Sequence, residues 1–101
     1  MKTLSEFKTI LHENRDLLIK KYKVKTLGIF GSYVRNEQNE TSDIDVLVEF
    51  QENSINFDNY MGLKYYLEDL FQKDVDLVIK DDLKVEIRDK ILKEVTQVKI
   101  N

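Results

Sequence analysis

A layered α/β fold, a small mixed β-sheet packed with helices in the order α-β-α-β-α-β-α, is what the chain predicts. Three observations carry that prediction. Apolar residues recur at helical spacing near both ends and once in the middle, three short runs rich in β-branched residues lie between them, and neither proline nor a low-complexity linker interrupts the series. An amphipathic helix and a half-buried strand each need a partner face, and regular alternation of the two supplies it in layers.

The first helical stripe runs through Leu4, Phe7, Leu11, Leu18 and Tyr22, with Ile10 and Leu17 beside it. The polar stretch His12 to Asn14 leaves open one long helix or two short ones. Val24 to Phe30 is a short apolar run closed by Gly31 and reads as a strand, after which Ser32 is placed to cap a short helix reaching Asn36. Polar residues from Glu37 to Thr41 make a loop. From Asp43 to Phe50 the residues alternate strictly: Ile44, Val46, Val48 and Phe50 share one face, and Asp43, Asp45, Leu47 and Glu49 share the other. A helical period returns from about Asn56 to Phe71 through Phe57, Tyr60, Met61, Leu67 and Phe71. On this helix Leu63, Tyr66 and Leu70 form a second apolar row, available either to the core or to a partner. Asp74 to Lys80 is a third strand, and Leu83, Ile87, Ile91 and Val95 step by four along a last helix. Val98 to Asn101 fits a frayed end or a short added strand equally.

The 101 residues are expected to form a single domain, residues 1–101, too small for separate substrate-gripping domains. Sixteen basic and nineteen acidic residues are interspersed, for a formal charge of −3. The broad cationic field that long phosphate backbones require is missing, so nucleic acid is not the expected substrate. No cysteine is present, which excludes disulfides and thiolate metal sites, and the charged N-terminal segment MKTLSEFKTILHENRD is neither a signal peptide nor a membrane span. A cytoplasmic location with no membrane contact is the expectation. His12 stands alone on a polar segment and reads as a surface histidine.

The tight link from the first strand to the second favours antiparallel pairing, and the helical crossover to the third permits a right-handed parallel pair. Together these bring Gly31, Ser32, Asp43, Asp45 and Asp76 to one edge of the sheet. Gly31 has no Cβ to keep a phosphate from the backbone, and Ser32 opens a helix whose first amides lack partners. Asp43 and Asp45 lie two apart on one strand face; carboxylates ~6 Å apart repel by roughly 3 kcal/mol at an effective dielectric of ~20, and a cation reverses this. Oxygen ligands alone suit Mg²⁺ better than zinc. Asp74 and Asp76 repeat the spacing, but without a Gly-Ser upstream. The metal is therefore assigned first to Asp43 and Asp45, with Asp76 completing the site as a third ligand or as the acceptor of a hydroxyl proton, and Asp74 at the strand mouth. Arg35, three residues after Ser32, can reach a phosphate or pair with a carboxylate, and Ser42 can contact nucleotide or shape the turn before Asp43.

Ile29-Phe30-Gly31-Ser32, Arg35, Ser42-Asp43-Ile44-Asp45-Val46 and Val75-Asp76-Leu77-Val78 together resemble the minimal nucleotidyltransferase domains of the DNA polymerase β superfamily. The resemblance covers nearly the whole chain, from the opening helical segment to the helix holding Ile87 and Ile91. It implies ATP as nucleotide donor held at Gly31 and Ser32, Mg²⁺ on Asp43 and Asp45, and Asp76 as a further catalytic carboxylate. Small members of the family act as antitoxins paired with an all-helical HEPN ribonuclease toxin, and some transfer AMP to a tyrosine of that toxin. Two positions depart from the pattern: Val34 stands where alanine is usual, and Asn36 where glycine follows the arginine. The alternatives implied are an adenylyl-transferring enzyme and a module that neutralises the toxin by binding alone.

Overall fold

A computed structural model describes residues 2–101. In chain order the elements are α1 (Leu4–Glu13), α2 (Arg15–Lys20), β1 (Val24–Phe30), α3 (Ser32–Arg35), β2 (Ile44–Phe50), α4 (Phe57–Phe71), β3 (Val75–Ile79), a 3₁₀ turn (Lys80–Asp82), α5 (Val85–Glu94) and β4 (Thr96–Val98). The four strands form one sheet in the order β3-β2-β1-β4. As expected from the connections, β1 and β2 are antiparallel and β2 and β3 parallel, and β4 adds antiparallel to the free side of β1. The open question about the C-terminal stretch is thereby settled as a strand, slightly earlier than Val98.

Local chemistry explains the element boundaries. Thr3 and Glu6 form a reciprocal capping box that starts α1. The first helix breaks at Asn14, whose side-chain amide donates to the Ile10 carbonyl (2.8 Å) while its oxygen accepts from the Tyr66 hydroxyl (3.0 Å). An asparagine that offers the backbone this alternative favours a break. Asn56 caps α4 by accepting from the Asn59 amide (2.8 Å), and Gln72 ends it in the left-handed conformation, φ 56°.

The alternation in β2 places Ile44, Val46, Val48 and Phe50 in the main core, with Leu27 and Ile29 of β1 and Leu77 of β3. Phe7, Leu11 and Leu18 of α1 and α2 and Leu63, Leu67 and Phe71 of α4 cover that face. Phe7 meets the rings of Tyr33 and Phe71 edge-on at 5.2 and 4.9 Å. The opposite face is thinner: Phe30, Leu47 and Leu83 are buried there, with Val78, Ile91 and Val95 against them. Asp43, Asp45, Glu49 and Asp76 belong to this second side by strand phase.

One alternative about the helices is settled and two expectations are corrected. In α4 the second row turns inward: Leu63 is fully buried, Tyr66 and Leu70 pack on the core, and Tyr66 stacks on Tyr22 at 5.1 Å. It is Phe57, expected in the core stripe, that stands 76% exposed. The last helix buries none of its side chains completely, and Ile87 is 46% exposed, because α5 rests on the sheet only through Ile91 and its flanks, Leu83 and Val95. Tyr66→Phe, which strips the hydroxyl from Asn14, should cost about 1 kcal/mol. A fall in melting temperature of about 4–8 °C checks this.

Candidate active site

The sheet register assembles the site. Phe30, the last residue of β1, lies opposite Asp45, and Asp45 lies opposite Asp76 across the parallel β2–β3 pair. Gly31 follows Phe30 directly, so three segments distant in sequence converge at one place. The contact with Gly31 is close: a Cβ built there would stand 2.0 Å from Asp45 Oδ2 and 2.8 Å from its Cγ, and the residue has φ 81°. Only glycine fits both the space and the backbone.

The Asp45 and Asp76 carboxyls are close enough to perturb one another. Burial above all, then the neighbouring Asp76 carboxyl and the charge of Asp43 raise the Asp45 carboxyl from 3.8 to about 6, against the opposing pull of Arg35. Asp43 itself is exposed and lies just before β2 rather than in it, so it keeps the freedom of a loop residue. Among the described residues no three His, Cys, Asp or Glu side chains are already gathered at metal-holding distance. The structure thus brings Asp45 and Asp76 together and places Asp43 within electrostatic reach.

At the β1–α3 turn, Gly31 rather than Ser32 is the N-cap of α3, and no side chain caps the helix; Ser32 is its first residue. That corrects the capping role expected of the serine and leaves its hydroxyl free of that duty. Arg35 is engaged by two carboxylates, its Nε donating to Glu37 (2.6 Å) and its Nη1 to Glu94 (2.7 Å), which hold it above the ordinary arginine range. The ion-pair reading of Arg35 is present in the structure. Ser42 Oγ accepts from the Asn39 amide (2.9 Å), the turn-forming role, and Asp74 is exposed with its carbonyl accepting from Ile44 N–H (3.1 Å). His12 is a surface histidine that donates from Nδ1 to the Lys99 carbonyl (2.6 Å). The two departures from the family pattern are accommodated: Val34 packs against the core, and Asn36 takes the left-handed conformation, φ 59°, that asparagine tolerates better than most residues.

Glu94 was missed in the sequence. It closes α5, where a carboxylate opposes the helix dipole, and accepts from both Gly31 N–H (2.8 Å) and Arg35. Burial pushes its carboxyl up, but Arg35 and the Gly31 amide outweigh that and leave it below the usual range. An acid in the wrong turn of a helix was the only local sign of this, since its partner Arg35 is 59 residues away.

Residues 7–98 match the model of the nucleotidyltransferase domain family. A relative from Methanocaldococcus jannaschii that carries the name protein adenylyltransferase is 54% identical over 84 residues, covering 83% of this chain and 85% of its own. The protein adenylyltransferase MntA of Thermococcus cleftensis is 42% identical over 98 residues, covering 97% and 98%. Among solved structures, a minimal nucleotidyltransferase superposes with TM-score 0.77 at 29% identity, over 94% of this chain and 95% of that one. A toxin-antitoxin structure with AMP-PNP superposes with TM-score 0.69 at 25% identity, over 88% and 73%. With the Gly31 turn set against the Asp45–Asp76 pair and the family match spanning almost the whole chain, this protein belongs to the nucleotidyltransferase domain family.

Proposed function

We infer that the chain, acting as one minimal domain in the cytoplasm, is a Mg²⁺-dependent protein adenylyltransferase that transfers AMP from ATP to a tyrosine hydroxyl of an all-helical HEPN-type toxin, and so serves as its antitoxin. The observation that carries this is the Asp45–Asp76 pair beside Gly31. Similarity to a relative named protein adenylyltransferase MntA and to a toxin-antitoxin structure with AMP-PNP supports it. No helix among the described residues is long and apolar enough to cross a membrane.

The donor set fits a hard divalent cation. Asp45 and Asp76 offer only oxygen, and the upward shift of Asp45, caused first by burial and then by the carboxylates of Asp76 and Asp43, is one that a bound cation would oppose. Asp45 and Asp76 would hold Mg²⁺, with Asp43 joining from its exposed loop position. When bound, the ion neutralises phosphate charge and lowers the barrier to displacement at the α-phosphorus.

The protein's own groups do the rest. Gly31 N–H is taken by Glu94, so the first-turn amides of Ser32 and Tyr33, which have no intrahelical partners, are the ones that would hold the phosphates. Asp76, exposed beside Asp45, accepts the proton as the tyrosine oxygen bonds to the α-phosphorus and the bond to pyrophosphate breaks.

Intact-mass measurement of a helical partner toxin, incubated with the chain, ATP and Mg²⁺, should show adducts of AMP mass; an unmodified toxin sinks the reading. A second reading, neutralisation by binding alone, is favoured by one observation: Phe57, Tyr65 and Val85 are 76%, 61% and 78% exposed, apolar surface to spare. The double variant Asp43→Asn, Asp45→Asn separates the two. Loss of protection with the complex intact supports catalysis, and retained protection supports binding.

A further inference from the structure

Asp76 sits on the strand least supported by the sheet. β3 has five residues and lies at the sheet edge, with β2 as its only strand neighbour among the described residues. In a parallel pair successive residues direct their backbone groups alternately toward the neighbour and away from it. Asp74 faces inward, its carbonyl accepting from Ile44 N–H (3.1 Å). Asp76 shares that phase, so the backbone groups of Val75 and Leu77 point to the open side. An unsupported edge of this kind frays and invites foreign strands.

Helix α4 covers it with side chains. Glu68 Oε2 accepts from Val75 N–H (3.1 Å), and the Tyr60 hydroxyl donates to the Leu77 carbonyl (2.5 Å). The two residues are eight apart on the helix, and between them Lys64 donates from Nζ to Glu68 Oε2 (3.2 Å), so all three form one stripe along the strand. The Val75 amide, against the effect of burial and with the help of Lys64, holds Glu68 below the ordinary carboxylate range, so it is a charged acceptor at neutral pH. One bond falls immediately before Asp76 and the other immediately after it. The helix thus does for this strand what a fifth strand would do, at the two positions that bracket the candidate catalytic carboxylate.

We propose that Tyr60 and Glu68 are positioning residues for Asp76, holding its backbone from the open side so that its carboxylate stays opposite Asp45. The proposal rests on the adenylyl-transfer reading. Each side chain acts through the β3 backbone, which is where its hydrogen bond goes. Their effect is on the rate of the chemical step, because small misplacements of a reacting group are costly even when binding is intact.

The test compares Tyr60→Phe, Glu68→Ala and Glu68→Gln in transfer from ATP to the partner toxin, together with amide hydrogen exchange at Val75 in the metal-free protein. Tyr60→Phe and Glu68→Ala should lower kcat roughly 10- to 100-fold. KM for ATP should stay within about threefold, the pattern of an interaction lost only in the transition state. Glu68→Gln keeps an oxygen that accepts from Val75 N–H and should recover most of the rate. Exchange at Val75 should accelerate in Glu68→Ala but not in Glu68→Gln. Wild-type kcat in both damaging variants, a defect confined to KM, or failure of Glu68→Gln to recover the rate overturns the proposal while leaving the adenylyl-transfer reading standing. If the unaltered chain transfers no AMP yet Val75 exchange responds as described, it is the adenylyl-transfer reading that fails, and the two side chains are then an edge cap with no catalytic consequence.

Discussion

Gly31→Ala should abolish measurable transfer, with activity down by about 10²- to 10³-fold. Two effects combine. The backbone at φ 81° and ψ −150° is a region alanine enters only at a cost of order 1–3 kcal/mol. The new methyl group would also stand 2.0 Å from Asp45 Oδ2, and Asp45 has little room to yield because it is paired through its backbone to Phe30 on one side and Asp76 on the other. Relief therefore comes from turning the carboxylate away from its place or from opening the β1–α3 turn, and either change disrupts the site. Thermal unfolding with the transfer assay checks this. A fall in melting temperature of several degrees is expected, and a variant that melts lower but transfers at the normal rate would show that the close contact is structural only.

Asp45→Asn is the second large effect, and its two parts have opposite sign. Transfer should fall by about 10³-fold, since a carboxylate of the candidate metal site is lost. Stability at neutral pH should rise. The folded carboxyl titrates at about 6 against 3.8 for the unaltered group. Between these values the folded state binds more protons than the unfolded one, so the Asp45 contribution favours folding at low pH and is lost as pH rises to 6. Above that the ionised group carries its full penalty, which asparagine escapes. The shift corresponds to no more than about 3 kcal/mol. Discounted for partial exposure, a gain of about 1–2 kcal/mol is expected at pH 7–8 in metal-free protein. The gain should vanish below pH 4. Denaturant unfolding at several pH values measures it; equal stability of the two proteins at pH 8 would mean that the crowding of Asp43, Asp45 and Asp76 is relieved in some other way.

How much of this was legible in the sequence depends on the distance over which each signal acts. β2 declared itself because every second residue from Ile44 to Phe50 is apolar and enters one core, and the order of links favoured its antiparallel pairing and permitted its parallel one. The convergence of Gly31, Asp45 and Asp76 followed from that topology. Other features have no local signature. β4 is three residues long, too short for a period, and exists because β1 has an unpaired side. Ile87 and Phe57 have the spacing of core residues yet stand in solvent, because periodicity reports a stripe and not whether anything lies against it. The break at Asn14 is fixed partly by Tyr66, whose side chain comes from 52 residues further along.

The Glu94 bond also bears on the order in which the molecule becomes competent. β1, β2 and β3 with the intervening α4 involve only residues up to Ile79, and their contacts close comparatively short loops. β4 must return to β1 across most of the chain, with Thr96 beside Ile29, a late event by loop-closure entropy. Glu94 stands two residues before β4 and carries the anchor of Arg35 and of the Gly31 amide. The sheet bearing Asp45 and Asp76 is thus built from residues up to Ile79, whereas the β1–α3 turn gains its tether only when α5 and β4 dock. A chain with α5 and β4 undocked would hold the carboxylates beside an untethered Gly31, so on the proposed reading competence for nucleotide arrives with β4 rather than with the core.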